Sequence, residues 1–234
     1  MYYDPFYILL LPALLFTLIA SASVNSTFRK YSGVLSSRRI TGAEAADRVL
    51  RASGIDSVRI ERVSGSLTDH YDPRANVIRL SESVYDSTSV AAIGVACHEA
   101  GHAIQHDVGY LPIKLRNAIV PVTNIGSKLA MPLILIGLIF GGTSALFANI
   151  AYLGVACFAL STVFQLITLP TEFNASRRAL DAIEREGLLG NGEMAGARKV
   201  LRAAAMTYVA ALAVSLVQLL RFFLLVSGST RRRR

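Results

Sequence analysis

The chain is 234 residues long, 53% hydrophobic and only 17% charged, whereas soluble domains carry about 25% charged residues. That deficit, with the charges set aside from three long uncharged stretches, excludes an ordinary water-soluble domain. Four units of the +8 net charge come from the terminal Arg231 to Arg234; the remainder forms no basic stripe on a polar face, so nucleic acid is not an expected partner.

From the N-terminus, residues 5–28 hold no Asp, Glu, Lys or Arg and suffice for one crossing, which takes about 20 apolar residues. A cleaved signal needs a cationic leading segment, but "MYYDPFY" carries Asp4 and no cation, so 1–28 reads as a signal anchor. A polar segment of domain-forming size follows over 29–116. In it, "TGAEAADRVLRASG" (41–54) reads as a helix, opened by a capping box of Thr41 and Glu44 and closed at Gly54. "SVRIERV" (57–63) alternates polar and apolar residues, a strand pattern. "SLTDHYDPRANVIRLS" (66–81) reads as strand, turn at Asp72–Pro73, and second strand through Val77 and Leu80. The run from Ser89 to Asp107 reads as a helix capped by Ser87, Thr88 or Ser89.

Residues 129–171 are again uncharged and fit two crossings with a turn in "GGTSALFAN" (141–149), a transmembrane hairpin over 117–170. A second polar segment, 171–202, reads as helix, Gly-rich turn (187–192), helix. The last apolar stretch, 203–220, contains Gln218 and is cut by Arg221 before "FFLLV". Over 203–234 the chain therefore reads as an apolar helix, spanning or interfacial, with an Arg tail suited to anionic headgroups. The expected fold is α+β: a mainly helical membrane protein with a small β-sheet and three to four transmembrane helices. Cys97 and Cys157 suggest no disulfide framework, and Cys97 reads as a small buried filler.

"VACHEAGHAIQH" (95–106) gathers three of the four histidines and Glu99. On a helix, His98 and His102 are neighbours on one face, a spacing that lets two imidazoles grip one Zn²⁺. Glu99 flanks the same face and can act as general base toward a zinc-activated water without ligating the ion. His106 lies about 12 Å along the helix from His98, too far to share the ion, and reads as a capping, supporting or surface residue. Catalytic zinc keeps three protein ligands and an open position; the third must come from elsewhere. On pattern alone Glu172, Asp181, Glu184, His70 and Asp107 all compete.

Three motifs, "HEAGHAIQH", "LTDHYDP" before it and "LPTEFNASRRAL" after the paired spans, resemble the putative neutral zinc metallopeptidase family of bacterial membrane proteins, the YugP type. The resemblance runs over most of the chain. It implies a zincin-like zinc helix, a metalloendopeptidase activity, one Zn²⁺ and a protein or peptide substrate. That family is similar in turn to membrane metalloproteases of the CAAX-prenyl and heat-shock type, in which a Glu of an E-x-x-x-D string on a later helix is the third zinc ligand. Carried over, that Glu is Glu172. The string departs at Ser176, which stands where those proteases have Asp and puts in question the support of a zinc histidine; Asn174 is the alternative. The "TDHYDP" strand implies an edge for extended substrate backbone, with His70 either an oxyanion stabiliser or part of a turn. Arg177 and Arg178 read as solvated helix surface.

Two crossings between His102 and Glu172 keep both polar segments on one side, and the cations Arg29, Lys30, Arg38 and Arg39 after the first span place that side in the cytoplasm of a multi-pass cell-membrane protein. No Gly-Lys pair occurs, so a nucleotide-binding phosphate loop is not expected. The rival outside enzymology is an inactive membrane scaffold around a structural metal, which would need closure by four protein ligands, mostly Cys and His.

Overall fold

The computed structural model describes residues 5–141, 144–190 and 192–231. A short 3₁₀ turn (Pro5–Leu9) leads into α1 (Leu10–Ser32), followed by α2 (Gly42–Ala52), β1 (Arg59–Val63), β2 (His70–Asp72), β3 (Val77–Ser81) and α3 (Glu82–Tyr85). Then come α4 (Val90–Asp107), α5 (Leu111–Phe140), α6 (Ala145–Arg185) and α7 (Met194–Arg231). The protein is thus α+β and mainly helical. Four helices, α1 with its leading turn, α5, α6 and α7, are long and apolar enough to cross a membrane.

Two compact units share these helices. The first contains residues 1–19, 115–169 and 208–234. Its core is Ile134, Ala151, Val155, Phe222 and Val226, and its helices approach through small residues: a Cβ on Gly137 would lie 2.5 Å from the backbone nitrogen of Ala151. Close backbone approach of this kind is how helices associate in lipid, where burial against hydrocarbon gains nothing. A hydroxyl pair, Thr162 Oγ1 and Ser215 Oγ at 2.7 Å, joins α6 to α7. Arg221, which broke the apolar pattern in the sequence, does not break α7. Its guanidinium is stacked over the Tyr7 ring at 3.9 Å from the centroid, so the charge is carried on an aromatic face. The turn expected in 141–149 ends before Ala145, and residues 142–143 lie outside the described residues, as do Gly-rich-turn residue 191 and the tail from 232.

The second unit, residues 20–114 and 170–207, holds the sheet and α4. β3 is its central strand, parallel to β1 and antiparallel to β2. Val77, Ile78 and Leu80 are fully buried, and Ile78 and Leu80 pack with α2 and α4 in one cluster through Val49, Leu50, Ile93 and Ala96. The Thr41–Glu44 capping box is present in both directions, and Ser89 caps α4 by accepting from Ala92 N–H. Two expectations shift. The strand starting at 66 begins only at His70, because Leu67 adopts a left-handed φ of 58° that extended pairing does not tolerate. The helix expected to begin near 171 is the end of α6, which runs unbroken through Pro170.

Two glycines on α4 face neighbouring helices with different clearances. A Cβ on Gly94 would meet Ala197 Cβ at 3.5 Å, an ordinary contact, whereas a Cβ on Gly101 would lie 2.6 Å from the carbonyl oxygen of Ala175 on α6. Ala in place of helical Gly gains about 1 kcal/mol, and overpacking against backbone costs about 1–3 kcal/mol. Gly94→Ala should therefore be neutral or stabilising in thermal melts, and Gly101→Ala destabilising; a raised melting temperature for Gly101→Ala contradicts the close approach.

Glu193, not singled out from the sequence, clamps the turn before α7 to the loop after α1. It accepts from Ser37 N–H at 2.8 Å, Gly190 N–H at 2.6 Å and Ser36 Oγ at 3.3 Å. Burial pushes this carboxyl up, but the N–H and hydroxyl donors outweigh it and hold it below the usual carboxylate range. A depressed folded-state value stabilises above the unfolded value and is lost as pH falls through the folded one. Glu193→Gln should cost about 1 kcal/mol at neutral pH, with the deficit closing below about pH 4. A deficit of equal size at both pH values in denaturant titrations would rule the charge out as its source.

Candidate metal centre

His98 and His102 lie one turn apart on α4, and Glu172 reaches them from α6. The nearer Glu172 oxygen, Oε2, is 3.3 Å from His98 Nε2 and 3.5 Å from His102 Nε2. One potential ligand atom from each residue falls within 4.8 Å of the others. The imidazole centroids are 4.7 Å apart with planes at 83°, so both Nε2 atoms converge on one region without ring stacking. Glu172 is 2% exposed, and its Oε2 has no hydrogen-bond donor among the described residues. A buried carboxylate oxygen without a donor is costly; two imidazole nitrogens aimed at the same region make a site that a cation completes. The His-His-Glu set, with two nitrogen donors and one oxygen donor, is one that zinc accepts. Among the described residues His70, Asp107, Asp181 and Glu184 form no part of this group.

The approach of the two helices is set by residue size. Gly101, between Glu99 and His102, admits the Ala175 carbonyl where any side chain would hold α6 away. The Gly of "HEAGH" is thus what lets Glu172 come within reach of the histidines.

Both histidines are oriented through Nδ1. Ser176 Oγ lies 3.1 Å from His98 Nδ1, so the residue standing where related proteases have Asp still meets a ring nitrogen. His102 Nδ1 meets Gln105 Oε1 at 3.0 Å. Gln105 Nε2 donates to the Thr171 carbonyl at 2.8 Å and to Asn174 Oδ1 at 3.0 Å. Since both neighbours of that amide nitrogen are acceptors, its oxygen must face His102. His102 Nδ1 is then the donor, and its Nε2 carries the lone pair turned toward Glu172. Asn174 therefore acts on His102 at one remove, and Arg178 Nε holds it at 2.8 Å. Gln105 was not among the residues the sequence reading singled out. Its one signal in the sequence is its place three residues after His102, on the same helix face; its full burial emerges only in the structure.

Electrostatically the pocket favours positive charge. Burial works against the imidazolium of His102, but the neighbouring Glu172 carboxylate outweighs it and raises His102 above the ordinary histidine value, with Glu99 and Gln105 adding to the effect. Glu99 is buried on α4, 7% exposed, one residue from His98. Cys97 is fully buried and desolvation pushes its thiol far up, which makes it filler rather than a ligand or nucleophile.

The strand segment "DHY" lies apart from the cluster. Asp69 accepts from Ser81 N–H at 2.7 Å and Ser81 Oγ at 3.0 Å, closing β2 onto β3, and burial raises its carboxyl despite these donors. His70 Nδ1 meets the Thr68 carbonyl at 2.8 Å. Among the described residues β2 is an edge strand, paired only with β3. Exposed His106 makes an edge-to-face contact with Tyr71 at 6.0 Å between centroids.

The comparisons agree with one another. Residues 6–227 match the family model described as putative neutral zinc metallopeptidase. Over 220 residues the chain is 48% identical to a Bacillus subtilis (strain 168) protein named "Putative membrane protease YugP", covering 94% of this chain and 96% of that one. No solved structure matches. A match over nearly the whole chain, with the His-His-Glu cluster inside it, establishes that this protein belongs to the putative neutral zinc metallopeptidase family.

Proposed function

We propose that the protein is a membrane-embedded zinc-dependent endopeptidase, with His98, His102 and Glu172 holding one Zn²⁺ and Glu99 as general base. The observation that carries this is the convergence of two imidazole nitrogens and a buried carboxylate oxygen, without a donor among the described residues, within 4.8 Å. Zinc, when bound at such a three-residue set, supplies a Lewis acid that acidifies water and polarises a peptide carbonyl.

The chain's own residues do the rest. Ser176 and Gln105 fix the ring planes of His98 and His102, and Asn174 with Arg178 fixes Gln105. Glu99 sits beside the metal-facing side of α4, where its carboxylate takes the proton of the attacking water and returns it to the leaving amine. The outer edge of β2, unpaired among the described residues, offers main-chain groups to an extended substrate; His70 stands on that strand as a substrate-binding candidate, its Nδ1 committed to the Thr68 carbonyl and its Nε2 facing Arg79 Nη1. The remaining organisation follows the same reading: an anchor at 1–28, catalytic segments at 29–116 and 171–202 joined by a hairpin at 117–170, and a C-terminal apolar helix. The scaffold reading fits less well, since Cys97 is buried filler and three ligands leave a site open.

The test separates the roles. Glu99→Gln should keep one zinc per chain and lose roughly 10²–10⁴-fold in cleavage of an unstructured substrate such as casein. Undiminished cleavage removes the enzyme reading. Glu172→Ala should lower zinc affinity, measured by chelator competition; unchanged affinity shows that the third ligand lies elsewhere.

Arg29, Lys30, Arg38 and Arg39 following the first apolar run support catalytic segments on the cytoplasmic face. In sealed inside-out vesicles, added protease should cut the 29–116 segment. Protection there, with cutting in right-side-out cells, reverses the orientation.

A further inference from the structure

A cleft of about 330 Å³ opens between the end of α1 and the start of α7, sharing no residue with the His-His-Glu cluster. Each wall is one helix face: residues 23, 27, 30 and 31 on α1 follow i, i+4, i+7, i+8, and residues 199, 202, 203 and 206 on α7 follow i, i+3, i+4, i+7. Three of these are cations, Lys30, Lys199 and Arg202, and none of the lining residues is acidic. Among the described residues no carboxylate pairs with any of the three. Like charges gathered without a counter-ion repel one another, and an anion between them relieves that repulsion.

Beside the cleft, α1 and α7 pack closely. Tyr31 lies against the bare backbone of Gly196, where a Cβ would meet its ring at 2.7 Å. Ser23 and Thr27 line the same space from α1. Ala203 and Met206 make the floor apolar.

Position along the chain decides what the anion is. The uncharged run of α1 ends at Phe28, and that of α7 begins at Ala203. The cleft therefore straddles both changes from apolar to polar sequence, with the cations on the polar side and Met206 on the apolar side. In a helix that crosses a bilayer this is the headgroup layer, where Lys and Arg meet anionic lipid.

We propose that this cleft binds the phosphate of an anionic phospholipid. Arg202 presents its planar fork to two phosphate oxygens, Lys30 and Lys199 supply point charges from opposite walls, and Met206 meets the start of the acyl chains. A free phosphate ester offers the same chemistry to the cations but nothing to the floor. The experiment separates the two.

The full-length protein is examined by native mass spectrometry from detergent with phosphatidylglycerol and phosphatidylcholine in equal amounts. Wild type should retain phosphatidylglycerol preferentially. Lys199→Ala and Arg202→Ala should each weaken retention about fivefold, and Lys30→Ala, on the other helix, likewise. Arg48→Ala, an exposed cation of α2, should leave it unchanged. All these positions are exposed, and unchanged helicity checks the fold. Equal retention of the two lipids, or losses no larger than with Arg48→Ala, overturns the proposal. Binding of glycerol phosphate, which has no acyl chains, as tightly as phosphatidylglycerol overturns the lipid assignment and leaves a soluble phosphate ligand in its place.

Discussion

The second unit is organised around one unfavourable burial: a carboxylate, Glu172, enclosed to 2% exposure with an oxygen that no donor among the described residues satisfies. Placing a charge there costs several kcal/mol unless a cation answers it. Everything nearby serves that answer. Two imidazoles stand one helical turn apart at the same oxygen, Gly101 clears the path for α6, and a side-chain amide and a hydroxyl hold the rings. The small sheet and α2 supply the apolar mass against which α4 is fixed. A site whose donors come from two helices needs both helices held to within tenths of an ångström, and packing of fully buried Ala and Gly along α4 achieves that without bulky side chains.

Much of this was legible in the residues because the signals are local. The capping box at Thr41, the Ser89 cap, and the spacing of His98 and His102 each depend on residues three or four apart, a range over which helix geometry is fixed in advance. The strand limits were less legible. β2 is short because Leu67 takes a left-handed conformation, which no apolar alternation reports. The least legible feature was the partner of the two histidines. Five acids and histidines were compatible with the pattern, and only family resemblance singled out Glu172, because the approach of α6 to α4 depends on a backbone clearance at Gly101 that has no periodic signature.

The supporting residues make the same point. Ser176 differs from the Asp expected at that position, yet its hydroxyl still reaches His98 Nδ1. Gln105 has no counterpart in the motif as usually written, and its role rests on facing two acceptors at once. Arg221, read as an interruption of the last apolar stretch, is accommodated because Tyr7, far away along the chain, presents its ring face to it. In each case the residue type alone was ambiguous, and the neighbour that decides its role is remote in sequence.

The amide of Gln105 spans 66 residues of sequence to the Thr171 carbonyl, and the cluster it steadies is divided in the same way between α4 and α6. Neither half can grip an ion in full while the chain is being made. A cation that needs all three donors would therefore be held only once both intervening apolar helical stretches have been made and packed.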